Sequence, residues 1–132
     1  MYYYIKVLQN NLKKKTGQKK IFIIDDDTKY LNLLKEVFCQ KSEFIVKTYY
    51  DGHMAMKDFI TDRPDILILD NDMPKITGID IVKALKNDMK NLHILVVTSN
   101  FNAITTFQQL GIKDFLPKPF SIRELFSIVN NF

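Results

Sequence analysis

The chain has 132 residues, a hydrophobic fraction of 46%, a charged fraction of 26% and a formal net charge of +4 at pH 7. This length suits one domain, and the composition is typical of a globular protein that folds without disulfides or a structural metal. No apolar run approaches the ~18 residues of a membrane span, and the opening MYYYIKVLQ lacks the charged start and cleavage site of a secretion signal. We therefore expect a cytoplasmic protein without a membrane partner.

The first predicted segment is a basic N-terminal extension, residues 1–19. Residues 1–20 contain no acidic residue and six lysines: Lys6, Lys13, Lys14, Lys15, Lys19 and Lys20. Residues 21–132 contain 13 basic and 15 acidic residues, so the predicted domain, residues 20–132, is mildly acidic. Because no arginine or defined motif accompanies the lysines, we expect a solvated extension without direct nucleic-acid binding.

From residue 20 onward, short apolar runs alternate with segments of helical periodicity. The predicted strands are IFII, FIVKTY, DILILD, HILVVT and DFLPK, at 21–24, 44–49, 65–70, 93–98 and 114–118. The predicted helices lie at about 29–38, 52–61, 78–87, 102–110 and 121–131. Strands without polar alternation are buried on both faces. Five β-α units of this kind predict an α/β fold, a doubly wound parallel sheet covered by helices.

Two residues flanking the first predicted helix carry separate predictions. Cys39 is the only cysteine and cannot form an internal disulfide. It falls in the helical apolar pattern of Leu31, Leu34 and Phe38, so we expect a packed thiol rather than a reactive one. Asp27 directly precedes the helix, where a carboxylate accepts hydrogen bonds from the unpaired N–H groups of the first turn. We expect Asp27 to be the helix cap.

Polar residues follow the predicted strands at their carboxyl ends, which form the ligand crevice of a doubly wound sheet. Taken singly, each has an ordinary structural explanation, such as a turn, a strand position or a solvated loop. Together, several carboxylates at one edge repel one another unless a cation enters, and an all-oxygen site suits Mg²⁺. A lysine and a threonine hydroxyl complete a predicted site for a phosphoryl group whose acceptor is a carboxylate. The residues are Asp25, Asp26, Asp70, Asp72, Thr98, Ser99 and Lys118.

Four motifs, IIDDD, LILDNDMPKITG, LVVTSN and LPKPF, resemble those of the receiver domain of two-component response regulators, in particular the chemotaxis regulators. The resemblance covers residues 20–132. It implies a flavodoxin-like three-layer sandwich with strand order 2-1-3-4-5 and about five helices. It also implies Mg²⁺ as cofactor and a sensor histidine kinase or phosphotransfer protein as phosphodonor. Such a domain is not a conventional enzyme, because its only reactions are self-phosphorylation and autodephosphorylation.

The same resemblance implies the roles of the site residues. Asp70 matches the phosphorylated aspartate, and Lys118 matches the lysine that contacts the phosphoryl group. Asp25 and Asp26 match the acidic pair that binds the metal together with Asp70. Within the pair, Asp26 is expected to bind directly and Asp25 partly through water. Asp72 would offer its backbone carbonyl as a further metal ligand.

Two further positions match the family's switch. Thr98 matches the hydroxyl that responds to phosphorylation, and Phe115 matches the aromatic residue three positions before the lysine. The implied output surface, which would bind a downstream protein, is the face of the fourth helix, fifth strand and fifth helix. The domain is expected to be a monomer or a phosphorylation-dependent dimer. The alternative for Phe115 is a static core aromatic.

Several positions depart from the family pattern. Asn71 stands where an apolar residue is common, and Ile76-Thr77 replaces a common Met-Asp before Gly78, which itself matches the family's glycine. Asp72 adds a carboxylate beside the site, and with Asn100 it is placed to influence an attacking water molecule. The direction of that influence stays open.

Two other functions were weighed. A phosphatase of the haloacid dehalogenase type, with its pattern started at Asp25, needs Thr or Val at position 29, where Lys29 stands. The second is a degenerate receiver used as a phosphorylation-independent protein-binding module, which is the main alternative. After the last predicted helix few residues remain, so we expect either a stand-alone receiver or a fragment of a longer regulator or hybrid kinase.

Overall fold

The computed structural model describes residues 1–5, 8 and 17–132, and strands and helices alternate from residue 19 onward. The strands are β1 (Lys19–Ile24), β2 (Phe44–Tyr49), β3 (Ile66–Asp70), β4 (His93–Thr98) and β5 (Asp114–Pro117). The helices are α1 (Thr28–Cys39), α2 (Gly52–Thr61), α3 (Gly78–Ala84), α4 (Ile104–Gln109) and α5 (Ile122–Val129), and a 3₁₀ turn, Phe101–Ala103, precedes α4. Residues 2–5 are also helical. Most of the predicted basic extension, residues 6, 7 and 9–16, lies outside the described residues.

The five strands form one parallel sheet in the order β2-β1-β3-β4-β5, which confirms the predicted fold. The chain first crosses from β1 to β2 on one side and then returns to place β3 on the other side. Strand order therefore reverses between β1 and β3, where a parallel sheet opens a crevice beyond its carboxyl ends. Ile24 of β1 pairs in register with Leu69 of β3, so Asp25 and Asp70 enter this crevice side by side.

Both faces of the sheet are covered by helices, which gives three layers. In β1, Ile21 and Ile23 face the core shared with α1 and α5, whereas Phe22 and Ile24 face the core shared with α2, α3 and α4. This alternation explains why the strand is apolar at every position, since each side chain enters one of two cores. Within the described ranges, no helix is long and apolar enough to cross a bilayer.

Several element boundaries differ from the sequence prediction. β1 starts at Lys19, two residues before the predicted run. Lys20 can lie in a buried strand position because its polar groups have partners. Its N–H donates to the Asp65 carboxylate at 2.8 Å, and its ammonium pairs with Asp62. α3 ends at Ala84, three residues before its predicted end. The helix predicted at 102–110 is divided into the 3₁₀ turn and α4.

The predicted cap of α1 is confirmed. Asp27 has extended backbone, and its carboxylate accepts hydrogen bonds from the N–H groups of Lys29 and Tyr30 at 3.1 and 3.3 Å. The predicted packed thiol is wrong, because Cys39 is exposed. Phe38 is the last core residue of the helix face, and the next residue lies about 100° around the helix axis, on the solvent side.

Candidate functional site

Three carboxylates meet at the crevice between β1 and β3. Asp25, Asp26 and Asp70 each place one oxygen so that the three atoms lie within 4.8 Å of one another, a spacing that could hold a metal ion. Asp25 and Asp70 are 3% and 6% exposed, whereas Asp26 is exposed to solvent. The pocket therefore has two buried acids at its base and one at its rim.

Lys118 enters the same pocket from the end of β5. Its Nζ lies 2.8 Å from Asp25 Oδ2 and 3.7 Å from Asp70 Oδ1. Its backbone N–H donates to the Thr98 carbonyl at 3.0 Å, which ties the lysine to the end of β4. The alternative of a solvated loop lysine is wrong, because the side chain is 20% exposed and paired with both buried acids.

The charge on Asp70 is unfavourable in this pocket. Burial, and next the charge of Asp25, raise the pKa of Asp70 to about 6, although Lys118 acts in the opposite direction. At pH 7 the carboxylate is still mostly ionised. The pocket thus holds an ionised carboxylate that a further cation would stabilise.

The two carboxylates of the acidic pair differ in their freedom to bind a metal. Asp25 Oδ1 accepts from the Asp27 N–H at 2.9 Å and Asp25 Oδ2 pairs with Lys118, so both of its oxygens are engaged. Asp26 is exposed at the rim of the pocket, and one of its oxygens lies within 4.8 Å of oxygens of Asp25 and Asp70. The oxygen donor set suits Mg²⁺, which binds through one or two carboxylates and keeps several waters.

Thr98 lies at the end of β4 and is 1% exposed. Its Oγ1 accepts a hydrogen bond from the Asn100 N–H at 2.9 Å and donates to Asp72 Oδ2 at 3.4 Å. The structure thus connects Thr98 to Asp72, although 26 residues separate them along the chain.

The loop between β3 and α3 is built around Asn71, whose first sequence signal was its departure from the family pattern. Its side-chain Oδ1 accepts from the Ile79 N–H at 3.1 Å, and its carbonyl accepts from Met73 and Gly78 at 3.0 and 3.1 Å. A Cβ on Gly78 would lie 2.8 Å from the Asp70 carbonyl oxygen. The other available sequence signal for Asn71 was an amide residue within two residues of the end of a continuously apolar strand.

Tyr30 also borders the pocket, although no sequence motif pointed to it. Lys118 Nζ lies 4.5 Å from the centroid of its ring, which packs edge-on against Phe120 at 5.5 Å. Burial, and next the charges of Asp25 and Asp70, raise the pKa of Tyr30 to about 12. The signal for this residue was its position in the first turn of a helix that begins at the acidic pair.

Phe115 lies outside the pocket, on the opposite face of β5 from Leu116. It is half-buried, and its ring lies 6.3 Å from that of Phe107 of α4 at an angle of 62°. In register, Phe115 pairs with Val96, two residues before Thr98. The two predicted switch residues therefore occupy neighbouring strands.

Comparison with known proteins agrees with this geometry. A family model described as the response regulator receiver domain matches residues 21–130. The chain is 39% identical to the transcriptional regulatory protein CpxR of Escherichia coli over 80% of its length, and 34% identical to the alkaline phosphatase synthesis regulator PhoP of Bacillus subtilis over 81%. It spans about half of these relatives, 45% of each.

Among solved structures, the response regulator TrrA of Thermotoga maritima in complex with Mg²⁺ and BeF is similar. It superposes with a TM-score of 0.77 at 25% identity, over 86% of this chain and 98% of TrrA. The family match covers nearly all of the described α/β domain, and the acidic pocket lies at the edge where the fold places its ligand crevice. The chain therefore belongs to the receiver domains of two-component response regulators.

Proposed function

We propose that this chain accepts a phosphoryl group on Asp70 from a sensor histidine kinase or a phosphotransfer protein. The observation that carries the proposal is the position of Asp70, buried at the end of β3, with Lys118 Nζ 3.7 Å away and oxygens of Asp25 and Asp26 within 4.8 Å. A carboxylate there has a fixed cation on one side and room for a metal ion on the other. Both charges favour the approach of an anionic phosphoryl group.

In the proposed reaction an Asp70 oxygen attacks the phosphorus atom of a phosphohistidine. The new O–P bond forms as the N–P bond breaks, and the electron pair of the broken bond stays with the imidazole nitrogen. With a pKa of about 6, Asp70 is mostly in its nucleophilic form at pH 7. The Lys118 ammonium stabilises negative charge on the phosphoryl oxygens in a loose, in-line transition state.

The residues present fit a bound Mg²⁺ ion. Their donors are all oxygens, as this hard cation requires. Burial, and next the charge of Asp25, raise the pKa of Asp70, and a bound cation would offset both effects. We propose that Asp26, Asp70 and the Asp72 carbonyl hold the ion directly and that Asp25 acts partly through water. When bound, such an ion would supply positive charge that stabilises the phosphoryl oxygens in addition to the charge of Lys118.

The proposal is tested by incubating the chain with acetyl phosphate and Mg²⁺ and measuring the intact mass. We expect one phosphoryl group on the wild type, none on Asp70→Asn, and none when a chelator removes the metal. Asp88→Asn, which removes an exposed carboxylate near Arg63 at the opposite edge of the sheet, is the matched control and should be labelled normally. An unlabelled wild type would favour the phosphorylation-independent binding module, and labelled Asp70→Asn would contradict the acceptor assignment.

Output would pass through the face formed by α4, β5 and α5 to a downstream protein. Phe115 supports this proposal because it packs on Phe107 of α4 and pairs with Val96 on the strand that ends in Thr98. Movement of Thr98 toward a phosphoryl oxygen would open space into which the Phe115 ring could turn.

Three further properties stay predictions. They are autodephosphorylation without other enzymatic activity, a change of oligomeric state on phosphorylation, and a cytoplasmic location.

The division into an extension, residues 1–19, and a receiver, residues 20–132, is likewise a proposal. Lys19 already pairs with Phe44 in the sheet, and the Gln18 side chain donates to the Ser42 carbonyl at 2.9 Å. Removal of residues 1–16 should therefore leave acetyl phosphate labelling unchanged. A large loss of stability, beyond about 1 kcal/mol, would assign the extension a structural role.

A further inference from the structure

The hydroxyl group of Thr98 already accepts one hydrogen bond and donates another in the unphosphorylated protein. Thr98 is 1% exposed, so water has almost no access to its side chain. Its Oγ1 accepts from the Asn100 N–H at 2.9 Å and donates its one proton to Asp72 Oδ2 at 3.4 Å. Any new acceptor for this proton must displace the Asp72 carboxylate.

The Asp72 carboxylate makes a second polar contact. Its second oxygen, Oδ1, accepts from the Asn71 side-chain amide at 3.4 Å. Asn71 is 6% exposed and fixed at its other end, where Oδ1 accepts from the Ile79 N–H at 3.1 Å. The carboxylate therefore lies between a fixed amide and the Thr98 hydroxyl, although Asp72 is exposed to solvent.

We propose that Asp72 is a resting-state latch, whose carboxylate holds the Thr98 hydroxyl and thereby opposes the change that phosphorylation of Asp70 would cause. The inference rests on the proposed function, because it assumes that a phosphoryl oxygen on Asp70 competes for the same proton. A hydroxyl can donate to only one strong acceptor at a time. The phosphoryl group must displace Asp72, and it also places new negative charge near a carboxylate that has lost its partner.

The first test examines the contact alone and needs no phosphoryl group. Scalar couplings to the Thr98 methyl group report the χ1 rotamer population in the protein without metal. In the wild type we expect one dominant rotamer, and in Asp72→Ala a larger share of the other rotamers, because only the Asn100 N–H then still holds Oγ1. Identical couplings in the two proteins would overturn the latch, whatever the outcome for the proposed function.

The second test measures the effect of the latch on the proposed function, with beryllium fluoride as an acyl-phosphate mimic at saturating Mg²⁺. We expect Asp72→Ala to bind the mimic more tightly by about three- to tenfold, the size expected for one hydrogen bond lost from the resting state. In a Thr98→Val background, which lacks the hydroxyl but keeps the shape, Asp72→Ala should have little effect. In a Thr98→Ser background, which keeps the hydroxyl, Asp72→Ala should again increase the affinity for the mimic.

A charge control separates the latch from simple repulsion. Asp27→Asn removes one exposed carboxylate from the same rim and can still cap α1. If the tighter binding of Asp72→Ala persists in Thr98→Val, or if Asp27→Asn reproduces it, repulsion explains the gain and the latch is wrong. A wild type that fails to bind the mimic would overturn the proposed function, and the regulatory inference with it. The coupling measurement would still show whether Asp72 holds the Thr98 hydroxyl.

Discussion

Lys118 lies closer to Asp25 than to Asp70: its Nζ is 2.8 Å from an Asp25 oxygen and 3.7 Å from an Asp70 oxygen. The lysine is therefore the main partner of Asp25, and its charge only partly compensates the burial of Asp70. This explains how Asp70 keeps a pKa raised to about 6 with an ammonium group beside it. A second cation would be needed to offset the burial of the Asp70 carboxylate and the charge of Asp25.

The first prediction concerns the pH dependence of stability without Mg²⁺. The pKa of Asp70 is about 6 in the folded protein and 3.8 as a model value, so the folded state binds the proton more tightly. Its stabilising contribution is fully present below about pH 4 and is lost as the pH rises through 6. Asp70→Asn, which mimics the protonated form, should be more stable than the wild type by about 1–3 kcal/mol at pH 7.

Urea denaturation of both proteins from pH 4 to pH 8 checks this prediction. The difference in free energy of unfolding should be small near pH 4 and grow to its full value above pH 6. A difference that does not vary with pH would show that ionisation of Asp70 does not destabilise the folded protein. Saturating Mg²⁺ should reduce the difference at pH 7, because the cation stabilises the ionised carboxylate.

The second prediction concerns the rim carboxylate. Asp26→Asn should lower Mg²⁺ affinity by about tenfold or more, as expected for loss of a metal-binding group, and should lower acetyl phosphate labelling in parallel. Titration calorimetry measures the affinity, with Asp27→Asn as the matched control because it removes the adjacent exposed carboxylate. Equal losses in both variants would mean that overall charge, rather than a ligand, is responsible.

The third prediction separates the two effects of Lys118. Lys118→Met keeps the aliphatic stem but leaves the buried Asp25 without its cation, so we expect a loss of about 2–4 kcal/mol in stability without metal. Labelling should fall sharply, whereas Mg²⁺ affinity should rise because the pocket becomes more negative. Denaturation with and without Mg²⁺ checks this, and exposed Lys113→Met is the control. Unchanged stability would contradict the buried ion pair.

The fourth prediction concerns Gly78. An added Cβ would lie 2.8 Å from the Asp70 carbonyl oxygen and 2.9 Å from Asn71 Cα, so backbone beside the acceptor must move. Gly78→Ala should lower stability by about 1–3 kcal/mol and reduce labelling of Asp70. Alanine is otherwise favoured over glycine in a helix, so a stabilised, normally labelled variant would show that the loop shifts without consequence.

The fifth prediction concerns the output face. Beryllium fluoride with Mg²⁺ should change amide chemical shifts both in the Asp70 pocket and across residues 101–125, where Phe115 packs on Phe107. A ligand shifts such an equilibrium only through unequal affinity for its two states. Asp70→Asn, treated identically, is the control. Shift changes confined to the pocket would leave Phe115 as a static core aromatic.

Much of the fold and of the site can be predicted from short stretches of the sequence. Five continuously apolar runs separated by helical periodicity predicted the parallel sheet, because strands buried on both faces have no polar alternation. The acidic residues at the ends of the first and third strands predicted the pocket, because parallel strands end at one edge. The cap at Asp27 was equally local, since it depends on hydrogen bonds to the next turn.

Other features depended on tertiary contacts that no local pattern encodes. Cys39 lies one residue beyond the helix face that the core covers, and that face is set by what packs on it. Lys20 is buried, and its N–H and ammonium contact Asp65 and Asp62, both more than forty residues away along the chain.

The electrostatics of the site were likewise decided by distance in three dimensions. The strand ends in the sequence already place the charged and polar side chains at one edge of the sheet. Only the folded chain decided that Lys118 pairs first with Asp25 and that Asp72 accepts the Thr98 proton. Hydrogen bonds and ion pairs depend on separations of a few tenths of an ångström, and those separations are set by packing across the whole domain.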